Sequence, residues 1–237
     1  GTDSDGDGIG DSVYTIDDSN TFTNDTSPLV PSGVNCGVIA STVSLSGNLS
    51  ANGTCFNVGA SDIIINCNRF YVDGDGTDLG INITDFNNIT IQHCNFRYFS
   101  TAIMANISNL STVYNSTFFG NNASVNFTGS YFTNVTNNTF TNNTFGIYLN
   151  RTSNATLYDN TFTNNGFSSI IGWSLNNSLI TSNRVSGTLN WTGAIKLNRS
   201  HGNTITENII QGNSVGMNLT NSSNNTIYNN LFDNTIN

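Results

Sequence analysis

The chain has 237 residues, 36% hydrophobic and only 9% charged, with a formal net charge of −9; an ordinary soluble domain is roughly 25% charged. Six Lys and Arg residues, not clustered, exclude a protein that tracks the phosphates of nucleic acid. No apolar run reaches the roughly 18 residues of a membrane-spanning helix, and the polar role falls to asparagine, at 44 positions.

The first element is acidic. Seven of the 15 acidic residues precede residue 26, and the chain opens "GTDSDGDGIGD". Asp3, Asp5 and Asp7 take the first, third and fifth places of a D-x-[DN]-x-[DN]-G calcium loop, Gly8 follows, and Asp11 takes the ninth place. Tyr14 stands at the twelfth place, where an EF-hand has its bidentate Glu, so this is not an EF-hand. Hard carboxylates at this spacing can converge on one Ca²⁺, with the Ile9 carbonyl as backbone ligand and Asp17 or Asp18 completing the set. The plainer alternative is a solvated acidic tail. A second run, "DGDGTD" at 73–78, falls where a strand must turn and is read as a turn. Residues 1–30 are thus assigned to an acidic segment and linker, and 31–237 to the main domain.

Four cysteines follow, Cys36, Cys55, Cys67 and Cys94. No CxxC is present, so zinc and thioredoxin-like chemistry are poorly supported, and the even count fits disulfides in an oxidising compartment. About twenty Asn-x-Ser/Thr sequons point the same way, among them Asn24, Asn48, Asn88, Asn126, Asn150, Asn190 and Asn218. They are candidates for N-linked glycans on an extracellular protein, although a chain this rich in Asn and Thr also makes sequons by chance.

From residue 90 the chain repeats. "TIQHCNF", "TVYNSTF", "NVTNNTF", "TLYDNTF", "LITSNRV", "TITENII" and "TIYNNLF" align without gaps, starting at 90, 112, 134, 156, 179, 204 and 226. Their fifth residues are Cys94, Ser116, Asn138, Asn160, Asn183, Asn208 and Asn230, at spacings of 22 to 25. Apolar residues flank each anchor, as in Leu157 and Phe162, and a second pair two residues apart follows, as in Ile147 and Leu149. That is the strand period, with no helical pattern of useful length. Short strands in register at this period predict an all-β, right-handed parallel β-helix. Seven repeats plus a first coil near residues 61–72 would stack about 4.8 Å apart into a rod about 40 Å long. Phe96, Phe118, Phe140 and Phe162 become an internal stack. The Asn column becomes a ladder of coil-to-coil amide bonds, its residues also suited to the left-handed bend between strands. The leucine-rich repeat has a similar period but needs an L-x-x-L-x-L spacing that is absent.

The repeat resembles right-handed parallel β-helices of the pectin-lyase-like superfamily, and more narrowly the NosD-type repeats of archaeal surface proteins. The likeness covers roughly residues 33–237, and residues 35–76 resemble the N-terminal coil of such proteins with its cysteine pair. Position suggests Cys36 with Cys55. Cys67 and Cys94 fall on adjacent coils, as a second disulfide or a buried thiol ladder. The acidic run is similar to the calcium loops of dockerins and thrombospondin type 3 repeats. In the proteins it resembles, such a run follows the last coil; here it comes first. The expectation is that it completes the far end of another subunit, giving head-to-tail assembly stiffened by Ca²⁺, or that the sequence is one module of a longer tandem array of β-helices.

The resemblance is weak for function, because this fold hosts enzymes, adhesins and scaffolds alike. After residue 85 the only acids are Asp159, Glu207 and Asp233. In register, Asp159 and Glu207 lie about 9–10 Å apart with nothing else converging on them, so no enzyme is expected. His93 is expected to point outward with no metal partner. Trp173 and Trp191, with Tyr148 and Tyr158 nearby, could form a sugar platform, but packing, as in a subunit interface, is the favoured reading. The expectation is an extracellular structural protein of a filament, sheath or surface layer, with a carbohydrate-binding adhesion module as the alternative and extracellular polysaccharide as its partner. A polysaccharide lyase or hydrolase ranks last.

Overall fold

A computed structural model describes residues 34–188 and 190–234. The described residues from Asn35 on form one compact unit. The described residues hold 27 strands and no helix. Each turn of chain contributes one strand to each of three nine-stranded sheets, and every pairing is parallel. The first coil comprises Gly37–Ile39, Val43–Ser44 and Leu49–Ser50; the ninth comprises Met217–Thr220, Thr226–Tyr228 and Leu231–Asp233. There are therefore nine coils, not eight. The first coil escapes the sequence alignment because two of its strands are two residues long and lack the flanking apolar pair.

Each heptapeptide is one whole corner. Its first three residues are a strand of the second sheet and its last three a strand of the third, as in Thr156–Tyr158 and Thr161–Thr163. Leu157 and Phe162 point inward and are buried, because alternate strand residues face opposite sides. In register, Phe96, Phe118, Phe140 and Phe162 form the expected stack, with centroids 5.6, 4.8 and 4.7 Å apart and rings within 17° of parallel. Each fully buried ring contributes about 2–3 kcal/mol of transfer free energy. The first sheet supplies the other wall of the core through Ile103, Val125, Ile147, Ile170 and Ile195 and the parallel column Ala105, Phe127, Leu149 and Leu197.

The ladder is present. The Asn160 side-chain oxygen accepts from the Asn138 backbone N–H at 3.0 Å and from the Asn138 amide at 3.1 Å. Its own amide donates to the Val135 carbonyl at 2.7 Å. The same pattern links Asn160, Asn183, Asn208 and Asn230. One part of the expectation is corrected. The left-handed residue is not the ladder Asn but the one before it: Asn115, Asn137, Asp159, Ser182, Glu207 and Asn229, with φ between 46° and 59°. The bend turns that side chain out so that the next can aim inward.

A second ladder, five residues further on, runs through Asn121, Asn143 and Asn165 and resumes from Thr188 through Asn213 to Asn234. Shorter hydroxyl rungs close the remaining corner, with the Ser108 N–H on Ser130 Oγ at 3.0 Å and the Ala155 N–H on Ser178 Oγ at 3.0 Å. These bonds satisfy donors that a tight buried corner would otherwise orphan.

Both cysteine pairs are disulfides. Cys36–Cys55 joins coil 1 to coil 2 with a Cα separation of 4.4 Å, and Cys67–Cys94 joins coil 2 to coil 3 at 4.7 Å. No described cysteine is free, which resolves the alternatives for Cys67 and Cys94 in favour of the bond.

Candidate functional site

The candidate calcium ligands Asp3, Asp5, Asp7, Ile9 and Asp11, and the sequon at Asn24, lie outside the described residues. Among the described residues, no group of three or more His, Cys, Asp or Glu could hold a metal ion. The "DGDGTD" run is a turn: the Asp75 carboxylate accepts from the Thr77 hydroxyl at 2.7 Å and from its N–H at 3.0 Å. The hydroxyl bond first, then the backbone bond, holds Asp75 below the usual carboxylate range.

The acids weighed for catalysis sit at exposed left-handed corners, Asp159 on coil 6 and Glu207 on coil 8, with Ser182 between them. Ser182 donates to Glu207 at 3.4 Å. Asp159 lines a shallow cleft with Tyr114, Asn115, Asn137 and Thr161. His93 is half-buried and packs edge-on to Tyr114 at 5.9 Å. Trp173 is 38% exposed and Trp191 81% exposed. Tyr148 is on the outward side of coil 6, beside Ile171 of coil 7 in the column next to that of Trp173.

The sequons differ in one respect that sequence does not show. Asn126 and Asn218 face outward on the first sheet, and their Thr128 and Thr220 hydroxyls lie beside them, donating to the Asn oxygen at 3.2 and 3.1 Å. Asn88 is an exposed corner, Asn48 is exposed, and Asn190 is half-buried. Asn150 also faces outward, but the hydroxyl of its sequon, Thr152, is buried and donates to the Phe127 carbonyl at 3.2 Å.

One concentrated chemical feature was missed in the sequence. On the outer face of the third sheet, across coils 2 to 4, Tyr71, Asn95, Phe96, Arg97, Tyr98, Thr117 and Phe119 line a cleft of about 310 Å³. Asp73, Arg97 and Phe119 occupy one outward column, and Tyr71, Asn95 and Thr117 the next. Arg97 donates through Nε and Nη2 to the two Asp73 oxygens, each at 2.6 Å, and its guanidinium lies 3.8 Å over the Tyr71 ring. The Asp73 hydrogen bond raises the Arg97 pKa above its ordinary value. This is the one ion pair among the described residues. Tyr98 meets Phe119 edge-on at 5.8 Å. Asp73 and Arg97 each directly follow an inward residue, Val72 and Phe96, and because those two are strand partners the lateral register sets Asp73 beside Arg97.

The fold defines the class first: a parallel β-solenoid whose disulfides belong to an oxidising compartment. Residues 61–237 match the family described as periplasmic copper-binding protein (NosD), and the chain belongs to that family. Family and disulfides together indicate an exported protein. Among curated proteins, no sequence matches the chain. Among solved structures it is similar to the Streptococcus pneumoniae surface protein and adhesin PfbA, at 13% identity over 83% of this chain and 87% of that one, with a TM-score of 0.46. It is also similar to the A-module of the Azotobacter vinelandii mannuronan C-5 epimerase AlgE4, at 13% identity over 86% of each chain, with a TM-score of 0.25.

The family's copper finds no donor set in this chain's described residues. All four Cys sulfurs are in disulfides. The two histidines are on coil 3 and coil 8, His201 already bonded through Nδ1 to Ser223 at 2.8 Å. Met104 faces out on coil 4 and Met217 is an inward position of coil 9. Soft and imidazole donors that never meet do not make a copper site.

Proposed function

We propose that this chain is a structural module of the cell exterior, a β-helix that stacks end to end with further β-helices in a filament, sheath or surface layer. One observation carries the reading. Leu219, Ile227 and Phe232 of coil 9 are 36%, 42% and 45% exposed. The residues in register beneath them, Leu197, Ile205 and Ile210, are 0% exposed. Three parallel edge strands around an apolar column accept a further coil by strand addition, whether it continues this chain or belongs to another copy. In this reading the acidic segment of residues 1–30 lies at such a joint. Ca²⁺ at Asp3, Asp5, Asp7, Asp11 and the Ile9 carbonyl would stiffen the joint. N-linked glycans at outward sequons such as Asn88, Asn126 and Asn218 would keep the lateral faces solvated.

Electron microscopy of the purified chain, with calcium and then with chelator, tests this. Rods many times longer than about 40 Å that shorten on chelation are expected. Long rods indifferent to chelator would keep the stacking and discard the calcium joint. Short single rods under both conditions would end the stacking proposal.

A further inference from the structure

We propose that the corner between the first and second sheets on coils 4 and 5 is the interface of an antiparallel pair, a second copy of this chain lying alongside the first and running the opposite way. The inference goes beyond end-to-end stacking and does not depend on it, since the corner is on the side of the solenoid.

This corner has the wrong chemistry for a solvated bend. Ile107, Leu110, Tyr131 and Phe132 are each about half exposed, between 49% and 57%. From coil 3 on, the same three places in every other coil hold Asn, Ser, Asp, Arg, His or Gly, as at Asp85, Asn88, Asn154, Asn176, His201 and Gly202. Ile107, Leu110 and Phe132 also take left-handed φ of 51°, 58° and 56°, which Asn or Gly adopts with less strain. The patch is continuous. The Leu110 N–H donates to the Tyr131 carbonyl at 2.9 Å, and Ile107 Cγ1 is 3.7 Å from where a Cβ on Gly129 would stand. Strained apolar corners on adjacent coils, all facing water, are not explained by packing within one chain. Two sequons fall inside the patch, and both are taken up by the fold. The Ser108 and Ser111 hydroxyls that belong to Asn106 and Asn109 are buried 2.7 Å apart, and the Asn109 oxygen accepts from the Tyr131 N–H at 2.8 Å.

Charge names the occupant. Residues 98–150 contain no Asp, Glu, Lys, Arg or His. The corner is thus neutral on coils 4 and 5, acidic at Asp62 and Asp85 on coils 2 and 3, and basic at Arg151 and Arg199 on coils 6 and 8, all four exposed. None of the four is in an ion pair among the described residues. A two-fold axis across the corner between coils 4 and 5 lays neutral band on neutral band and sets coil 3 opposite coil 6. Asp85 of each copy then meets Arg151 of the other, the self-complementary arrangement of a two-fold interface. Asp62 falls one coil from the level of Arg199. A parallel pair would bring Asp85 level with Asp85 and Arg151 level with Arg151, which like-charge repulsion disfavours. A two-fold contact closes on itself, so the assembly stops at two. Four side chains fall well short of the roughly 20–30 residues a side of a standard interface, so the pair is weak, with a dissociation constant of about 10–1,000 μM. A glycan at Asn88, one coil from Leu110, would shield the corner. Pairing therefore belongs to chains that leave Asn88 bare, its amide donating to Asp62 at 2.8 Å.

Analytical ultracentrifugation of the full chain, free of N-linked glycans, tests this from about 1 μM to about 1 mM. A one-to-two equilibrium is expected. Asp85→Arg and Arg151→Asp should each weaken it about tenfold. The double variant should restore it, and the two single variants should pair when mixed. These positions are in the middle of the solenoid, so a contact between its ends would not respond. Phe132→Asn should abolish pairing, and the fold is kept because Asn already takes this corner at Asn88, Asn154 and Asn177. Ile107→Asn should weaken pairing several-fold without lowering the urea midpoint of the dilute single chain. A single species up to about 1 mM would overturn the proposal. So would pairing that survives Phe132→Asn, single charge variants that pair as the native chain does, or a double variant in which pairing is not restored.

Discussion

Coils 1 to 3 and coils 5 to 9 close the same corner with different chemistry. In the early coils the inward column is Leu45, Cys67 and Cys94, with a covalent bond between the last two. Ser116 follows, accepting from the Cys94 N–H at 3.1 Å. From Asn138 onward the column is an unbroken run of amides. A disulfide acts mainly by shrinking the unfolded ensemble and fixes a single joint. An amide ladder acts in the folded state, and each rung needs the coil on either side. Solenoid coils draw stability from nearest neighbours. The molecule uses the covalent bond between coils 2 and 3 and the ladder from coil 5 to coil 9.

The sharpest way to break this comparison is to remove one rung. Asn160→Leu keeps the volume but leaves the buried Asn138 N–H without its acceptor and the Val135 carbonyl without its amide donor. At about 1–3 kcal/mol for each orphaned group, the expected loss is about 4 kcal/mol, read from urea unfolding. A loss below about 1 kcal/mol would mean the ladder is passive filling. The double change Cys67→Ser and Cys94→Ser comes next. Opening a loop of 27 residues should cost about 3 kcal/mol. Native-state hydrogen exchange should place that loss in coils 1 to 3. An equal loss of protection in coils 5 to 9 would show that the solenoid melts as one body and that the two regions are not separate devices.

How much of this was legible depends on spacing. The seven heptapeptides align without gaps at a period of 22 to 25 residues, so the anchor column, the phenylalanine stack and the short strands followed from alignment alone. The second ladder uses the same residue type at the same period, at Asn121, Asn143 and Asn165. It was there to be found by carrying the alignment five residues further. Cys67 and Cys94 could not be settled, because their separation of 27 breaks the period before the alignment begins. The cleft was invisible for another reason. Tyr71, Arg97 and Phe119 each look like an ordinary outward strand residue, and only lateral register across three coils brings them together.

The smallest effect concerns the corners. From coil 3 on, the bend after each first-sheet strand is left-handed and is occupied by Asp85, Gly129, Arg151, Ser174, Arg199 and Asn221, but in coil 4 by Ile107. A β-branched residue is the least suited to φ of 51°. Ile107 is 57% exposed, so little burial offsets that strain. Asn tolerates the left-handed region, and the Ser108 N–H beside it keeps its bond to Ser130 Oγ. Ile107→Asn should therefore raise stability by about 1 kcal/mol, seen as a higher urea midpoint with unchanged slope. A lower midpoint would show that the exposed isoleucine contributes contacts worth more than its strain, and that the corners, unlike the ladder and the disulfide, are not governed by backbone preference.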